Sequence, residues 1–422
     1  MIYLSCQKFI IKGGNPLEGE IKIQGAKNSV LPIIAASLLC DDEVVLKNCP
    51  IISDTYASCR ILNYLGCKCK LDGNTLIINS STADKTDIPD ELMQEMRSSI
   101  IYMGAMLGAY GKCRLSFPGG CQLGPRPVDM HLSAVKKLGA CVNEEYGTIE
   151  CLVPDRLSGT KITLGYPSVG TTENIILAAV KARGETTVIN AAREPEIIDL
   201  AAFLNKCGAI VRGAGNSTII IEGVEKLHGC IHSIMPDRIA AATYIAAAVC
   251  SGGEINLHGI DVSLCDSFIS VFEQMGCSIY VYDGCIYVNA RKKIKPAGKI
   301  ITLPHPGFPT DAQPVIMAAV CKADGITIFE ETVFENRYRH VDSLVKMGAD
   351  IKVVGKAAVV TGVSKLYGAK ISATDLRGGA AMTAAALGAE GTTEISDICY
   401  IDRGYENIEK VISSLGGNIT RK

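Results

Sequence analysis

The sequence predicts an α/β protein assembled from six copies of one unit, and three observations carry that prediction. Glycine recurs at the end of an amphipathic segment in "LGCKCKLDG", "LGACVNEEYG", "CGAIVRGAG", "MGCSIYVYDG", "MGADIKVVG" and "LGGNITRK". These glycines, Gly66, Gly139, Gly208, Gly276, Gly348 and Gly416, are separated by 73, 69, 68, 72 and 68 residues, a period that marks a repeat architecture. The pattern of periodicity around each glycine is also the same. Finally, the second helix of a copy is usually Ala-rich and apolar on most sides, as in "AAATYIAAAVC" or "AAMTAAALGA"; a helix of that kind is buried.

Within a copy the elements follow in order. A helix comes first, as in "RGYENIEKVISSLGG", where Ile408, Val411, Ile412 and Leu415 fall at i, i+3, i+4 and i+7. The glycine supplies the left-handed residue just past the helix end. In the first five copies two short strands about a turn come next, as in "CKLDGNTLIINS". The Ala-rich helix follows, and a Gly plus a strand close the copy, as in "GETTVINAA", "GEINLHGI" and "GTTEISDI". A helix apolar all round needs cover from sheets and outer helices. Three units around a shared helical centre, twice, would give two similar domains with a cleft between them. The periodicity supports the units and leaves the three-plus-three grouping open.

Composition narrows the function. At 422 residues and 48% hydrophobic content the chain can bury a large core, and its length suggests two domains. Forty-two basic against 44 acidic residues argue against nucleic-acid binding or a membrane-surface patch. The opening "MIYLSCQKFIIKGG" has no basic n-region and no long apolar run, so no signal peptide is read there. The longest apolar stretch, 239–250, is too short to span a bilayer. Eighteen cysteines without framework spacing point to a reducing, cytoplasmic setting where Cys is a small hydrophobe. Cys67 and Cys69 form a lone C-x-C with no second pair and no nearby His, so no metal site is expected; the plainer reading puts them on alternate faces of a strand.

The residues entering the Ala-rich helices are polar: "QGAKNSVLP" with Lys27 and Asn28, "EMRSSII" with Arg97, "YPSVGTTENI" with Ser168, Val169 and Gly170, "MPDRIAA" with Asp237 and Arg238, "FPTDAQP" with Thr310 and Asp311, and "ATDLRGGAA" with Asp375 and Arg377. Helix N-termini carry free N–H groups and the positive end of the dipole, so each is a potential anion site. Ordinary N-capping accounts for Ser168 and Thr310. Lys27 and Arg97 are different, because a cation at a helix N-terminus calls for a compensating anion; a ligand with phosphate or carboxylate groups would supply it. There is no Walker or Rossmann glycine pattern, and "GAGNST" (213–218) sits in a hairpin turn.

One loop stands apart. In "SFPGGCQLGPRPVDMHL" (116–132) Cys121 is flanked by Gly119, Gly120 and Gly124, with Arg126 nearby. A thiol beside a cation on a mobile loop can act as nucleophile or general acid. From the residues alone the reading stops at an enzyme acting on an anionic substrate with a reactive Cys on a lid.

The stretches "GAKNSVLP", "PGGCQLGPRPVDMHL", "SVGTTENI", "NAAREPEIID", "HPGFPTDAQP", "ETVFENRYRHV", "ATDLR" and "IDRGYENIE" together resemble the UDP-N-acetylglucosamine 1-carboxyvinyltransferase family of enolpyruvyl transferases. The match runs from about residue 8 to the end of the chain, with the motifs in the family's order. The Cys loop separates this resemblance from the sibling shikimate-type transferases.

The resemblance implies two inside-out α/β barrel domains of three βαβαββ units each, one of residues 27–235 carrying the Cys121 loop, the other discontinuous, of residues 1–26 and 236–422. It implies transfer of enolpyruvyl from phosphoenolpyruvate to the 3-hydroxyl of UDP-N-acetylglucosamine by addition and elimination, as the first committed step of peptidoglycan synthesis. No cofactor, metal, nucleic acid or membrane is implied, and the oligomeric state is left open. By position, Lys27, Arg126 and Arg403 would hold the phosphate of phosphoenolpyruvate, Arg403 its carboxylate too. Cys121 would protonate the methylene carbon and take the epoxide fosfomycin. Asp311 would accept the proton of the 3-hydroxyl. Asn28, Arg97, the run Arg126, Pro127, Val128, Asp129 and Met130, the run Ser168, Val169 and Gly170, and Val333 would contact the nucleotide sugar. Arg337, Asp375 and Arg377 would line the cleft. The loop is expected to close over the cleft when the sugar binds.

The sequence departs from the family at Tyr166 and Ser53, where some members have Lys, and at Gly378-Gly379, where Ala often follows the arginine. Glycine at a helix start would loosen the placement of Arg377. Two other readings stay open: a shikimate-type transferase, and a non-catalytic nucleotide-sugar sensor on the same scaffold.

Overall fold

The computed structural model describes residues 7–117 and 128–422. The described residues divide into two compact units, one of residues 7–24 and 236–422, the other of residues 25–117 and 128–235. Each unit has its own hydrophobic core.

Among the described residues, six four-stranded sheets, three in each unit, share one plan. In each, a short strand pairs in parallel with a second, which pairs antiparallel with a third, which pairs antiparallel with a fourth. The copy Lys299–Ile301, Ile326–Glu330, Ala357–Thr361 and Asp350–Val354 shows the register, with Ile300 opposite Phe329, Phe329 opposite Ala358, and Val360 opposite Ile351. Burial alternates along the inner strands, as in Cys285–Asn289, because successive side chains point to opposite faces and only one face meets the core. One sheet is closed from afar. The last copy has a single C-terminal strand, Asn418–Arg421, and its partner is Phe9–Lys12 from the start of the chain, with Ile11 opposite Ile419.

The six repeat glycines have φ of 98, 104, 96, 92, 96 and 87°. This is the left-handed region that ends a helix cheaply only with glycine, as the spacing predicted. Cys67 and Cys69 do not lie on opposite faces. Both pack into the core of their unit, because residues two apart on an extended chain share a side. No group of three or more His, Cys, Asp or Glu among the described residues could hold a metal, and no helix among them is long and apolar enough to cross a membrane.

The Ala-rich segments form the centre of each unit. In one, Arg238–Ser251, Gln313–Val320 and Leu376–Leu387 pack on one another, and Arg238–Ser251 is buried from Arg238 through Cys250. The Lys322 ammonium donates to the carbonyls of Cys250 (3.3 Å) and Gly388 (3.1 Å). A cation is well placed there, since helix C-termini carry orphan carbonyls and negative dipole ends. Gathering the C-termini gathers the N-termini at the other end, where Asp237, Asp311 and Asp375 stand. In the second unit the centre is Lys27–Ala36, Tyr102–Tyr110 and Val169–Ala179. A Cβ on Gly104 would meet the Asn174 carbonyl oxygen at 2.4 Å, and one on Gly108 the Leu177 oxygen at 2.6 Å. Glycine four residues apart is what lets these two helices approach so closely.

Candidate active site

In the discontinuous unit Arg337 and Arg377 converge on Asp311. Its Oδ1 accepts from Arg337 Nη2 at 3.1 Å, and its Oδ2 accepts from Arg377 Nε and Nη2 at 3.2 and 3.1 Å. Arg337 also donates twice to the Thr310 carbonyl. Arg377 donates to Tyr405 Oη at 3.1 Å, and its guanidinium lies 5.5 Å from the ring centre. Tyr405 in turn bonds to Thr243 at 2.8 Å. Burial works against the charge of Arg377, but Tyr405, Asp311 and Asp237 outweigh it and hold its pKa above the usual arginine range.

This geometry bears on two expectations. Arg337 and Arg377, expected to line the cleft, have side chains 1% and 3% exposed against 27% for Asp311, and direct donors to Asp311, the Thr310 carbonyl and Tyr405. Gly378-Gly379 are closely packed. A Cβ on Gly378 would stand 2.8 Å from Asp375 Oδ2, and one on Gly379 2.6 Å from the Ile401 side chain, so small residues are needed where the helix start is packed.

Asp375 caps its own helix, accepting from the N–H groups of Arg377 and Gly378. Asp237 does the same for Ile239 and Ala240. Thr310 is not a cap: its hydroxyl donates to Glu331 Oε2 at 3.0 Å. Glu331, buried, also accepts from the N–H groups of Val333 and Phe334 through Oε1, so one carboxylate fastens the Val333 turn to the residue before Asp311. Arg403 ends the 3₁₀ turn Ile398–Arg403 and is half-buried. His340 is fully buried beside Arg337; burial first, opposed by Asp375 and aided by Arg337, lowers its pKa to about 4.

In the other unit Lys27 begins the helix Lys27–Ala36, and its ammonium lies 3.1 Å from the carboxylate of Asp54, which is 1% exposed. The compensating anion inferred for this cation is thus supplied at least in part by the chain. Asn28 follows it half-buried. Ser29 bonds to Asp199 Oδ2 at 2.5 Å, and Asp199 accepts from His232 Nε2 at 2.9 Å, which ties the Lys27 turn to the helix Pro195–Lys206. Arg97 opens the turn Arg97–Ile101, which packs on Val169–Ala179; its side chain lies outside the described residues.

Ser168 caps Val169–Ala179 as expected, accepting from the Thr171 N–H. Val128, Asp129 and Met130 lead into Asp129–Lys137, which packs against the same helix. His131 Nδ1 lies 2.8 Å from Asn174 Nδ2, and a Cβ on Gly170 would touch the His131 ring at 3.3 Å. Asn174 also donates to the Ile100 carbonyl and accepts from the Gly104 N–H. This one amide therefore gathers the entries of three helices, and with them the residues at 128–130 and 168–170. Cys121, Arg126 and Pro127 lie outside the described residues, as does the expected lid.

Sequence reasoning passed over Asp54, Glu331, Tyr405 and Asn174. Glu331, Asn174 and Tyr405 stand inside quoted motifs, so proximity in sequence to Val333, Gly170 and Arg403 was a usable signal. Asp54 had none, since only the fold brings it to Lys27.

The profile of the family described as EPSP synthase (3-phosphoshikimate 1-carboxyvinyltransferase) matches residues 11–412. The chain is 47% identical to UDP-N-acetylglucosamine 1-carboxyvinyltransferase 2 of Caldanaerobacter subterraneus, over 98% of this chain and 99% of that one. It is 46% identical to UDP-N-acetylglucosamine 1-carboxyvinyltransferase 1 of Symbiobacterium thermophilum, over 98% and 95%. Among solved structures it is similar to the enolpyruvyl transferase NikO from Streptomyces tendae, with a TM-score of 0.90 at 25% identity and 99% of both chains covered. The EPSP synthase from Acinetobacter baumannii aligns with a TM-score of 0.78 at 18% identity, over 99% of this chain and 100% of that one, a likeness of fold.

Proposed function

We infer the reaction from membership: the chain belongs to the UDP-N-acetylglucosamine 1-carboxyvinyltransferase family of EPSP synthase-type enolpyruvyl transferases. It is an enzyme that transfers the enolpyruvyl group of phosphoenolpyruvate to the 3-hydroxyl of UDP-N-acetylglucosamine and releases phosphate, a step of peptidoglycan synthesis carried out in the cytoplasm. The observation that carries this reading is identity of 47% along nearly the whole of both chains with a relative of that name.

The site chemistry agrees with it. The 3-hydroxyl oxygen attacks C2 of phosphoenolpyruvate while Cys121 gives a proton to C3. A tetrahedral phospholactoyl intermediate results, and loss of phosphate with a proton from C3 gives the enol ether. Asp311 takes the hydroxyl proton. Its two oxygens receive three guanidinium hydrogen bonds, which fix the direction in which the carboxylate faces. Arg337 and Arg377 are positioning residues that aim this carboxylate. Lys27, Arg126 and Arg403 hold the phosphate, and Arg403 the substrate carboxylate. Asn28, Arg97, residues 126–130 and 168–170, and Val333 contact the nucleotide sugar.

Phosphate release with phosphoenolpyruvate and either acceptor tests the reading. UDP-N-acetylglucosamine is expected to support turnover and shikimate 3-phosphate is not; release with only the latter, or with neither, would overturn it. Asp311→Asn is expected to cut kcat by ~10²–10⁴-fold with binding of the nucleotide sugar nearly unchanged. An equal fall in affinity with unchanged turnover per bound substrate would make Asp311 a binding residue.

A further inference from the structure

One outer sheet of the discontinuous unit carries a second arrangement of reactive side chains. Glu18–Lys22, Glu254–His258 and Cys285–Asn289 are adjacent strands. Alternating burial puts Glu20, His258 and Cys285 on the outward face. His258 is the cross-strand partner of Cys285. Glu20 stands on the opposite flank, directly across from Asn256 and diagonal to His258. The Cys285 Sγ is 2.8 Å from His258 Nδ1. Glu20 Oε2 lies 3.2 Å from His258 Nε2, an ion-pair distance without a hydrogen bond between them. A thiol within hydrogen-bond reach of an imidazole is the core of an activated nucleophile, and the nearby carboxylate favours the imidazolium that forms when the ring takes the thiol proton. None of these residues belongs to the transferase machinery.

We propose that Cys285 is a nucleophilic thiol and a site of S-thiolation by small disulfides, with His258 as its base and the Glu20 carboxylate favouring the protonated ring. The thiol proton passes from Sγ to His258 Nδ1. The thiolate attacks one sulfur of a disulfide R–S–S–R; the bond to Cys285 forms as the R–S–S–R bond breaks. The departing thiolate takes the proton back from Nδ1 and leaves as RSH. One disulfide is exchanged for another, so no further oxidant is needed.

Among the described residues, Cys285 bonds to a histidine, whereas the pKa values of Cys59 and Cys151 are shifted down chiefly by hydrogen bonds with the neighbouring thiols of Cys69 and Cys113. Burial pushes Cys250, Cys265 and Cys277 up to about 12, and a thiol held protonated is a poor nucleophile. Cys399 is exposed, yet partial burial of its thiol and then Asp397 push it up. Cys285 is half-buried and His258 has a side chain 36% exposed, so a small disulfide can reach the sulfur from solvent.

The test uses the full chain and the neutral disulfide 4,4′-dithiodipyridine at a short exposure, with acid quench and peptide mapping of each mixed disulfide. Mapping keeps Cys121 apart from the cysteines compared. Cys285 is expected to react at least ~10-fold faster than Cys141 and Cys399, a threshold set below the ~10²–10⁴-fold that a positioned base gives. His258→Gln is expected to bring Cys285 down to the rate of Cys141, with transferase activity unchanged. Glu20→Gln, on a largely exposed side chain, is a second arm that should give a smaller fall. Cys285 reacting no faster than Cys141 in the parent chain overturns the proposal, as does a Cys285 rate unaltered by His258→Gln or, should that variant fail to fold, by Glu20→Gln.

Discussion

At Asp311 one carboxylate faces two arginines, and the second of these is held from behind by Tyr405. Tyr405→Phe removes a single hydroxyl from this chain of contacts. It is expected to cost about 1 kcal/mol of stability and to lower kcat while leaving KM for the nucleotide sugar alone; a change confined to KM would show that Arg377 acts on binding. His340 gives a pH signature. Its folded pKa is about 4 against an ordinary 6.5, so the folded protein keeps the ring neutral where the unfolded chain takes up a proton. Stability is therefore whole above 6.5 and declines as pH falls toward 4, by about 3 kcal/mol in all. His340→Gln should flatten that slope in denaturant titrations across the window. An unchanged slope would assign the acid sensitivity to other groups.

At the scale of the element, the glycines fall into two kinds that a substitution series can separate. Gly139 has φ 104° and nothing within 4 Å of a built Cβ. Gly139→Ala should feel the left-handed backbone alone and cost about 1 kcal/mol. Gly362 has an ordinary φ, but its Cβ would stand 1.6 Å from the Ala323 carbonyl oxygen. Gly362→Ala must push two backbones apart, and its cost should exceed that of Gly139→Ala by at least ~2-fold. Melting curves of the two variants check the order; equal costs would mean that the strand and the turn at Ala323 separate easily. Only the first kind is visible in sequence, because a helix-ending glycine is recognised from its own neighbours. Gly362 and Ala323 are brought face to face by the fold.

For the whole molecule, the repeat is closed by its ends. Arg421 on the last strand binds Asp402 and Glu409 and lies over Phe9 at 5.1 Å, so the first strand depends on the last. Removing residues 418–422 is expected to leave Phe9–Lys12 without its partner and to lower the melting temperature of the discontinuous unit, with the 25–235 unit unchanged; a calorimetric trace in which both units shift together would refute independent closure. What the sequence by itself determined is the local half of this protein: six units, their helix-ending glycines, the buried Ala-rich helices, and the polar residues that open them. Each of these follows from a periodicity or a backbone constraint that acts over a few neighbouring residues. Tertiary structure alone decided which charges meet. Lys27 finds Asp54, Arg377 finds Asp311 66 residues away, and the first strand finds the last. A charge buried in a core must be paired, yet nothing in one dimension says with whom, since the partner is chosen by where the chain returns.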